Sequence, residues 1–167
     1  MLNYVHAIPT KVYFGEGQIR RLPEALAPFG KRVLLAYGGG SIKRIGLYDT
    51  IMALLHEGGF AVTELSGIEP NPRIESVAEG VRLCKENNID VILAVGGGST
   101  IDCSKAIACG VFYEGDDLWQ MIVTSGGFSK ALPLVDVLTL SATGSEFDGG
   151  GVISNMKLNE KLGAGLT

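Results

Sequence analysis

Asp90-Val91-Ile92-Leu93-Ala94-Val95 runs without a break into Gly96-Gly97-Gly98-Ser99-Thr100-Ile101-Asp102. Five consecutive apolar residues with no polar alternation mark a strand buried on both faces. Three glycines end it, and residues 99–110 then carry a helical pattern. The same step occurs earlier, where Arg32–Tyr37 (RVLLAY) meets Gly38-Gly39-Gly40-Ser41 and a helix predicted over 41–57. In that helix Ile45, Tyr48, Ile51, Met52, Leu54 and Leu55 recur at near-helical spacing, and Gly58-Gly59 stop it. Buried strands that turn at once into helices are the unit of a parallel sheet covered on both sides.

The segments outward from these two steps repeat the alternation. Residues 60–65 predict a strand, 68–72 a turn with two prolines, and 73–88 a helix striped by Ile74, Val77, Val81, Leu83 and Cys84. Residues 116–123 read as a short helix or ordered loop, Ser125-Gly126-Gly127 as a break, and 134–140 as a fourth buried strand. Residues 149–155 and 161–165 read as further extended pieces. At the start, 11–14 is strand-like and 18–26 a helix interrupted at Pro23. The fold class predicted is α/β: a Rossmann-like, mostly parallel sheet flanked by helices. No Gly/Ser linker divides the chain, so residues 1–167 are read as one domain. The two strand–GGGS–helix units are a local echo rather than a solenoid repeat, because the segments between them differ.

Composition sets outer limits. With 46% apolar and 19% charged residues, the chain is not of a disordered class. A net charge of −4 and no basic block argue against a general nucleic-acid grip. No apolar run approaches the roughly 20 residues a membrane-spanning helix needs. Residues 1–10 lack the pattern of a secretion leader. Cys84, Cys103 and Cys109 are odd in number and lack metal-like spacing, which predicts free, buried thiols and a cytoplasmic location. Glycine, 24 of 167 residues, is about twice its usual share and has no collagen period, so it serves turns and close backbone approach. Residues 158–167 end on an apolar, glycine-punctuated segment with no closing helix, which reads as a domain cut from something longer.

Three places can carry chemistry. At Gly96-Gly97-Gly98-Ser99 a strand ends and a helix begins, and glycines there let backbone amides approach a diphosphate while the helix dipole favours its charge. The alternative is a tight turn with Ser99 as N-cap, and Ser99-x-x-Asp102 also fits a capping box, which gives Asp102 a structural role. At Gly38-Gly39-Gly40-Ser41 no carboxylate follows until Asp49, whereas nicotinamide folds often place one there for the ribose 2′-hydroxyl. Lys43 and Arg44 follow instead and suit a 2′-phosphate, which favours NADP over NAD. Otherwise they are a solvated helix face. At Thr139-Leu140-Ser141-Ala142-Thr143-Gly144-Ser145-Glu146 a strand opens into four hydroxyls that suit phosphate or ribose oxygens. Thr143-x-x-Glu146 fits a capped helix start equally well.

Other signatures are absent. Gly15-Glu16-Gly17-Gln18-Ile19-Arg20 lacks the last glycine of a dinucleotide fingerprint, and no GxxxxGK[ST], HExxH, GxSxG or Cys/His metal cluster occurs. His6 and His56, the only histidines, read as structural or exposed.

Together the motifs resemble those of iron-containing (group III) alcohol dehydrogenases, especially the butanol dehydrogenase branch. They are Pro9-Thr10-Lys11-Val12-Tyr13-Phe14-Gly15-Glu16-Gly17, Gly38–Ser41, Glu69-Pro70-Asn71-Pro72, GGGSTIDCSK over 96–105 and TLSATGSE over 139–146, in that order. The resemblance spans essentially the whole chain. It implies a dehydroquinate synthase-like N-terminal α/β domain that binds NADP(H). The helical C-terminal domain is absent from this sequence. In the family that domain holds Fe²⁺ or Zn²⁺ through an Asp and three His, and the metal binds the alcohol oxygen while hydride passes to or from the nicotinamide.

By resemblance Gly38, Gly39, Gly40 and Ser41 lie near the adenosine end. Gly96, Gly97, Gly98 and Ser99 cradle the pyrophosphate, with Asp102 beside them. Thr139, Ser141 and Thr143 contact phosphates, ribose or adenine surroundings. Lys161 resembles the lysine that reaches the nicotinamide ribose, and reads equally as a strand-edge lysine. No catalytic or metal-ligating residue falls in this chain, so it is expected to be inactive alone. A small alcohol or aldehyde is the substrate implied for the longer enzyme, and a homodimer the assembly. The run Glu146-Phe147-Asp148-Gly149-Gly150-Gly151 departs from the family, which often has an amide-bearing Asn there. Two other readings stay open: a polyol-phosphate dehydrogenase or dehydroquinate-synthase-like enzyme domain, and a catalytically silent nucleotide-binding or assembly module.

Overall fold

The computed structural model describes residues 8–125 and 128–166. Four parallel strands form its sheet: β1 Arg32–Tyr37, β2 Ala61–Leu65, β3 Val91–Gly96 and β4 Leu134–Leu138, in the order β2-β1-β3-β4. The chain enters at β1, adds β2 on one side, and crosses back to place β3 on the other. In register Ala36 stands beside Ala94, and Tyr37 beside Val95, so the first two triple glycines leave the sheet side by side. Among the described residues β4 pairs only with β3, and its five residues are half-buried.

Both faces of the sheet are covered, which is why β1 and β3 read as unbroken apolar runs. Val33, Leu35 and Tyr37 of β1 and Val91, Leu93 and Val95 of β3 pack against α1 Leu22–Leu26, α2 Ser41–Arg44 and α3 Leu47–Glu57. The alternate residues Leu34, Ala36 and Ile92 face α4 Ile74–Glu86, α5 Gly98–Gly110 and α6 Leu118–Thr124. Fully burying a side chain of this size contributes about 1.5–3 kcal/mol, so this two-sided filling is the main source of stability. α5 lies deepest, with ten of its thirteen residues buried. It meets α4 at Gly80, where a β-carbon would run into the Ile107 side chain.

Residues Gly150–Asn155 (β5) and Glu160–Gly165 (β6) form an antiparallel hairpin outside the main sheet. It rests on α5 through Ile153, Ala164 and Leu166. The Cys109 thiol donates to the Leu166 carbonyl at 2.9 Å, and the Trp119 indole donates to Glu160 Oε2 at 3.1 Å. At the amino ends of the two central strands Asp90 ties β1 to the α4–β3 turn. It accepts from the backbone of Lys31 (3.0 Å) and Arg32 (2.9 Å) and pairs with the Arg32 guanidinium. That guanidinium, with the amides, holds the Asp90 carboxyl down at about 2.

Several boundaries differ from the sequence reading. The helix read over 41–57 is two helices, because Gly46 takes φ 73° and turns the chain between them. Pro23 stands in the first turn of α1, where its missing N–H costs nothing, so it starts that helix rather than interrupting it. Residues 11–14 carry no regular element, and Phe14 is 94% exposed. Both capping boxes are replaced. The N-cap of α5 is Gly97, with no side-chain cap, and Thr143–Glu146 opens only a single 3-10 turn at Ser145–Phe147. Gly126-Gly127, His6 and Thr167 lie outside the described residues.

Candidate functional site

The order of strands reverses between β1 and β3, and in open parallel sheets the crevice beyond the carboxyl ends at such a reversal is where ligands bind. Gly38-Gly39-Gly40 leave β1 on one side of it. Gly96, Gly97 and Gly98 leave β3 on the other. The β2–α4 connection closes over the first turn, with the Gly67 amide donating to Gly38 O (3.3 Å) and the Ile68 amide to Tyr37 O (3.2 Å).

The second turn is built by close approach. A β-carbon on Gly96 would lie 2.5 Å from Thr100 Oγ1, so only glycine lets α5 start this tightly against β3. Thr100 and Ile101 amides already donate to Gly97 O, at 3.0 and 3.3 Å. The amides of Gly98 and Ser99, the first two residues of the helix, have no acceptor within it, because a first turn has none. A β-carbon on Gly98 would meet only Ser145 Cβ and Thr143 Oγ1, each at 3.7 Å, which leaves a small-residue cradle over unpaired donors. That cradle fits an anionic diphosphate.

The third motif joins this turn. The Thr139 amide donates to Gly96 O at 2.9 Å, and the loop carries Thr143 opposite Gly98. Ser141 and Thr143 are exposed. Lys161 on β6 arrives from another direction: its Nζ donates to Asn71 Oδ1 at 2.5 Å, and the Asn71 amide donates to Ser99 Oγ at 3.4 Å. The sequence-read residues thus gather at one end of the sheet, with Gly38–Ser41 one strand away from the rest. Asp102 points elsewhere. Its carboxylate accepts from Ser145 Oγ (2.6 Å) and from the Val152 amide (2.9 Å), not from the helix start.

Sequence reasoning passed over several groups. Asn71 holds φ 59° between two prolines, and the Pro-Asn-Pro run was the signal for such a bend. Lys105 is the one charged side chain among the ten buried residues of α5. Glu64, one residue before the end of β2, accepts from the Tyr37 hydroxyl at 2.7 Å and the Tyr48 hydroxyl at 2.9 Å. Glu64 also pushes the Tyr48 phenol above its usual pKa. Lys43 Nζ lies over both rings, 5.2 Å from Tyr37 and 4.5 Å from Tyr48. The charge beside the first triple glycine is therefore mixed rather than simply basic.

The family model for iron-containing alcohol dehydrogenase matches residues 9–166. The chain belongs to the iron-containing alcohol dehydrogenase family. It is 56% identical over 165 residues to NADH-dependent butanol dehydrogenase A of Clostridium acetobutylicum, covering 99% of this chain and 42% of the relative. The NADPH-dependent aldehyde reductase YqhD of Escherichia coli is 43% identical, with 96% of this chain and 41% of that protein covered. Among solved structures, the NADH-dependent butanol dehydrogenase A of Thermotoga maritima superposes with a TM-score of 0.92 at 44% identity, over 98% of this chain and 41% of that one. The chain thus spans about two fifths of the relatives it matches in this family. Among the described residues no three His, Cys, Asp or Glu side chains gather as a metal site would require. No helix among them is long and apolar enough to cross a membrane.

Proposed function

We propose that residues 1–167 are the dinucleotide-binding part of an alcohol dehydrogenase that interconverts primary alcohols and aldehydes by hydride transfer. The observation that carries this is the pair of triple-glycine turns set side by side at the reversal of strand order, one of them exposing the unpaired amides of Gly98 and Ser99. In this reading those amides, with Gly96 and Gly97 giving the room, bind the pyrophosphate. Gly38, Gly39, Gly40 and Ser41 receive the adenosine end. Thr139, Ser141 and Thr143 offer hydroxyls along the phosphates and ribose, and Lys161, held by Asn71, serves the nicotinamide ribose. Asp102 positions the loop rather than touching the cofactor. The dinucleotide supplies the hydride carrier. The butanol dehydrogenase and aldehyde reductase relatives support a short primary alcohol or aldehyde as substrate.

NADP(H) is the preferred cofactor in this proposal, supported by the lack of a carboxylate between Tyr37 and Asp49 and by exposed Lys43 and Arg44. A second reading, NAD(H), is favoured by Glu64, which brings a carboxylate to the β2 end beside Lys43. The test is a fluorescence titration of the chain with NADPH and NADH. Tighter NADPH binding supports the first reading, and tighter NADH binding replaces it with the second. Binding of neither overturns the dinucleotide reading. The metal-dependent step is assigned to a part of the protein outside this chain. The purified chain is therefore expected not to oxidise butanol, and turnover at enzyme-like rates would overturn that assignment. The same family reading makes the longer protein a homodimer, which its sedimentation checks, and the free thiols support a cytoplasmic location.

A further inference from the structure

α5 begins at the diphosphate cradle and carries Lys105 two turns further on. Lys105 is 7% exposed. Nζ donates to Ser145 Oγ (3.1 Å), to Asp148 Oδ1 (2.8 Å) and to Gly150 O (2.7 Å), so all three of its protons are used. Every acceptor lies in the stretch after β4. Ser145 donates onward to Asp102 Oδ1, and Asp102 Oδ2 accepts from the Val152 amide, so two side chains of α5 hold residues 145–152 by five hydrogen bonds. This stretch leads back to Thr143, opposite Gly98, and forward into the hairpin that carries Lys161. Among the described residues the hairpin has no ladder with the main sheet, and its one bridge outside itself joins Ser154 to Arg73, at the start of α4. A buried cation is seldom the most stabilising choice for such a position, since a well-packed apolar side chain serves as well or better. Its distinct contribution is geometry: it fixes three segments at one point.

We propose that Lys105 is a positioning residue, coupling the hydroxyl loop and the hairpin to the helix that binds the cofactor, so that dinucleotide binding at one end orders the hairpin at the other. This rests on the reading of Gly97–Ser99 as the diphosphate cradle. The coupling is reciprocal: whatever the hairpin gains on binding, the cofactor gains from an ordered hairpin.

The test compares Lys105→Met, which keeps the stem and removes the donors, with Asp148→Asn, at a half-exposed position. Amide hydrogen exchange of 150–165, the emission of Trp119 (the one tryptophan, bonded to Glu160 of the hairpin) and NADPH and NADH affinity are measured. In the wild-type chain, dinucleotide is expected to slow exchange across the hairpin. In Lys105→Met the hairpin should exchange at least tenfold faster while β1 and β3 keep their protection, and Trp119 emission should shift. Dinucleotide affinity should fall at least tenfold, and added dinucleotide should no longer slow the hairpin. Asp148→Asn should move each readout the same way by less. Wild-type hairpin exchange in Lys105→Met, or unchanged affinity, overturns the proposal. If Lys105→Met does not fold, Asp148→Asn decides, and unchanged exchange and affinity there overturn it. If the wild-type chain binds no dinucleotide, the cradle reading fails, and the ligand-free exchange and Trp119 emission still decide whether Lys105 fixes the hairpin.

Discussion

Replacing Gly98 by alanine should separate folding from binding. The new β-carbon would rest 3.7 Å from Ser145 Cβ and from Thr143 Oγ1, ordinary contact distances, so the fold has room for it. Alanine is also the better helix former, by up to about 1 kcal/mol in a helix interior and less in a first turn. Stability to urea should therefore hold or rise slightly. Binding should move the other way. An anionic oxygen bonded to the Gly98 or Ser99 amide must approach to roughly 2.7–2.9 Å, and the methyl group stands in that approach. Losing one charge-assisted hydrogen bond costs about 1.5–3 kcal/mol. That is a roughly 10- to 150-fold rise in Kd, at 1.4 kcal/mol per tenfold. The assay pairs a fluorescence titration with NADPH and NADH with a urea unfolding curve on the same preparation. Gly96→Ala is the contrasting variant: its β-carbon would lie 2.5 Å from Thr100 Oγ1 in a buried turn, and overpacking of that kind costs about 1–3 kcal/mol. A Gly98→Ala chain that binds as well as wild type would show that the dinucleotide does not sit on these amides. A Gly98→Ala chain that unfolds would refute the packing argument instead.

Three further outcomes are expected. Asp90, held near 2 by Arg32 and by backbone amides, binds its proton less readily folded than unfolded, so its stabilisation is in place above about pH 4 and is lost as pH falls towards 2. Asp90→Asn should lower stability at pH 7 and flatten the acid limb, and an unchanged limb would contradict the pairing. Burial pushes the thiols of Cys84 and Cys103 up to about 12 and Cys109 to about 11, so all three should resist a thiol reagent at pH 8 in the folded chain and react in urea. Gly80→Val should lower stability by about 1–3 kcal/mol, read as a lower urea midpoint with little change in slope, because Ile107 already fills that space.

The parallel sheet was legible because its signal is local and repeated. Arg32–Tyr37 and the apolar run ending at Val95 are continuous only because both faces are covered, and the glycines mark where each strand must turn. The tight turn from β3 into α5 was legible for the same reason, since Gly96 to Ser99 is contiguous. What escaped depends on contacts across the chain. Asp102 stands three residues after Ser99 and reads as a cap, but Ser145 and Val152 claim its carboxylate from 43 and 50 residues away. Lys161 and Asn71 are 90 residues apart. The split at Gly46 was missed because the apolar spacing of α2 and α3 stays in phase across a left-handed residue. Nothing local distinguished the hairpin from two more sheet strands either, since pairing partners are not written in a strand's own residues.

β4, with β3 on one flank and no strand among the described residues on the other, presents an outer rim of backbone amides and carbonyls along Leu134–Leu138. Such a rim welcomes any extended peptide that comes alongside. In a longer polypeptide it is a berth for one more strand, added without repacking the two filled layers behind it. In a tube of isolated chain it is the place where molecules would first stick together, and a lysine or proline set on that rim is the change that would keep them apart.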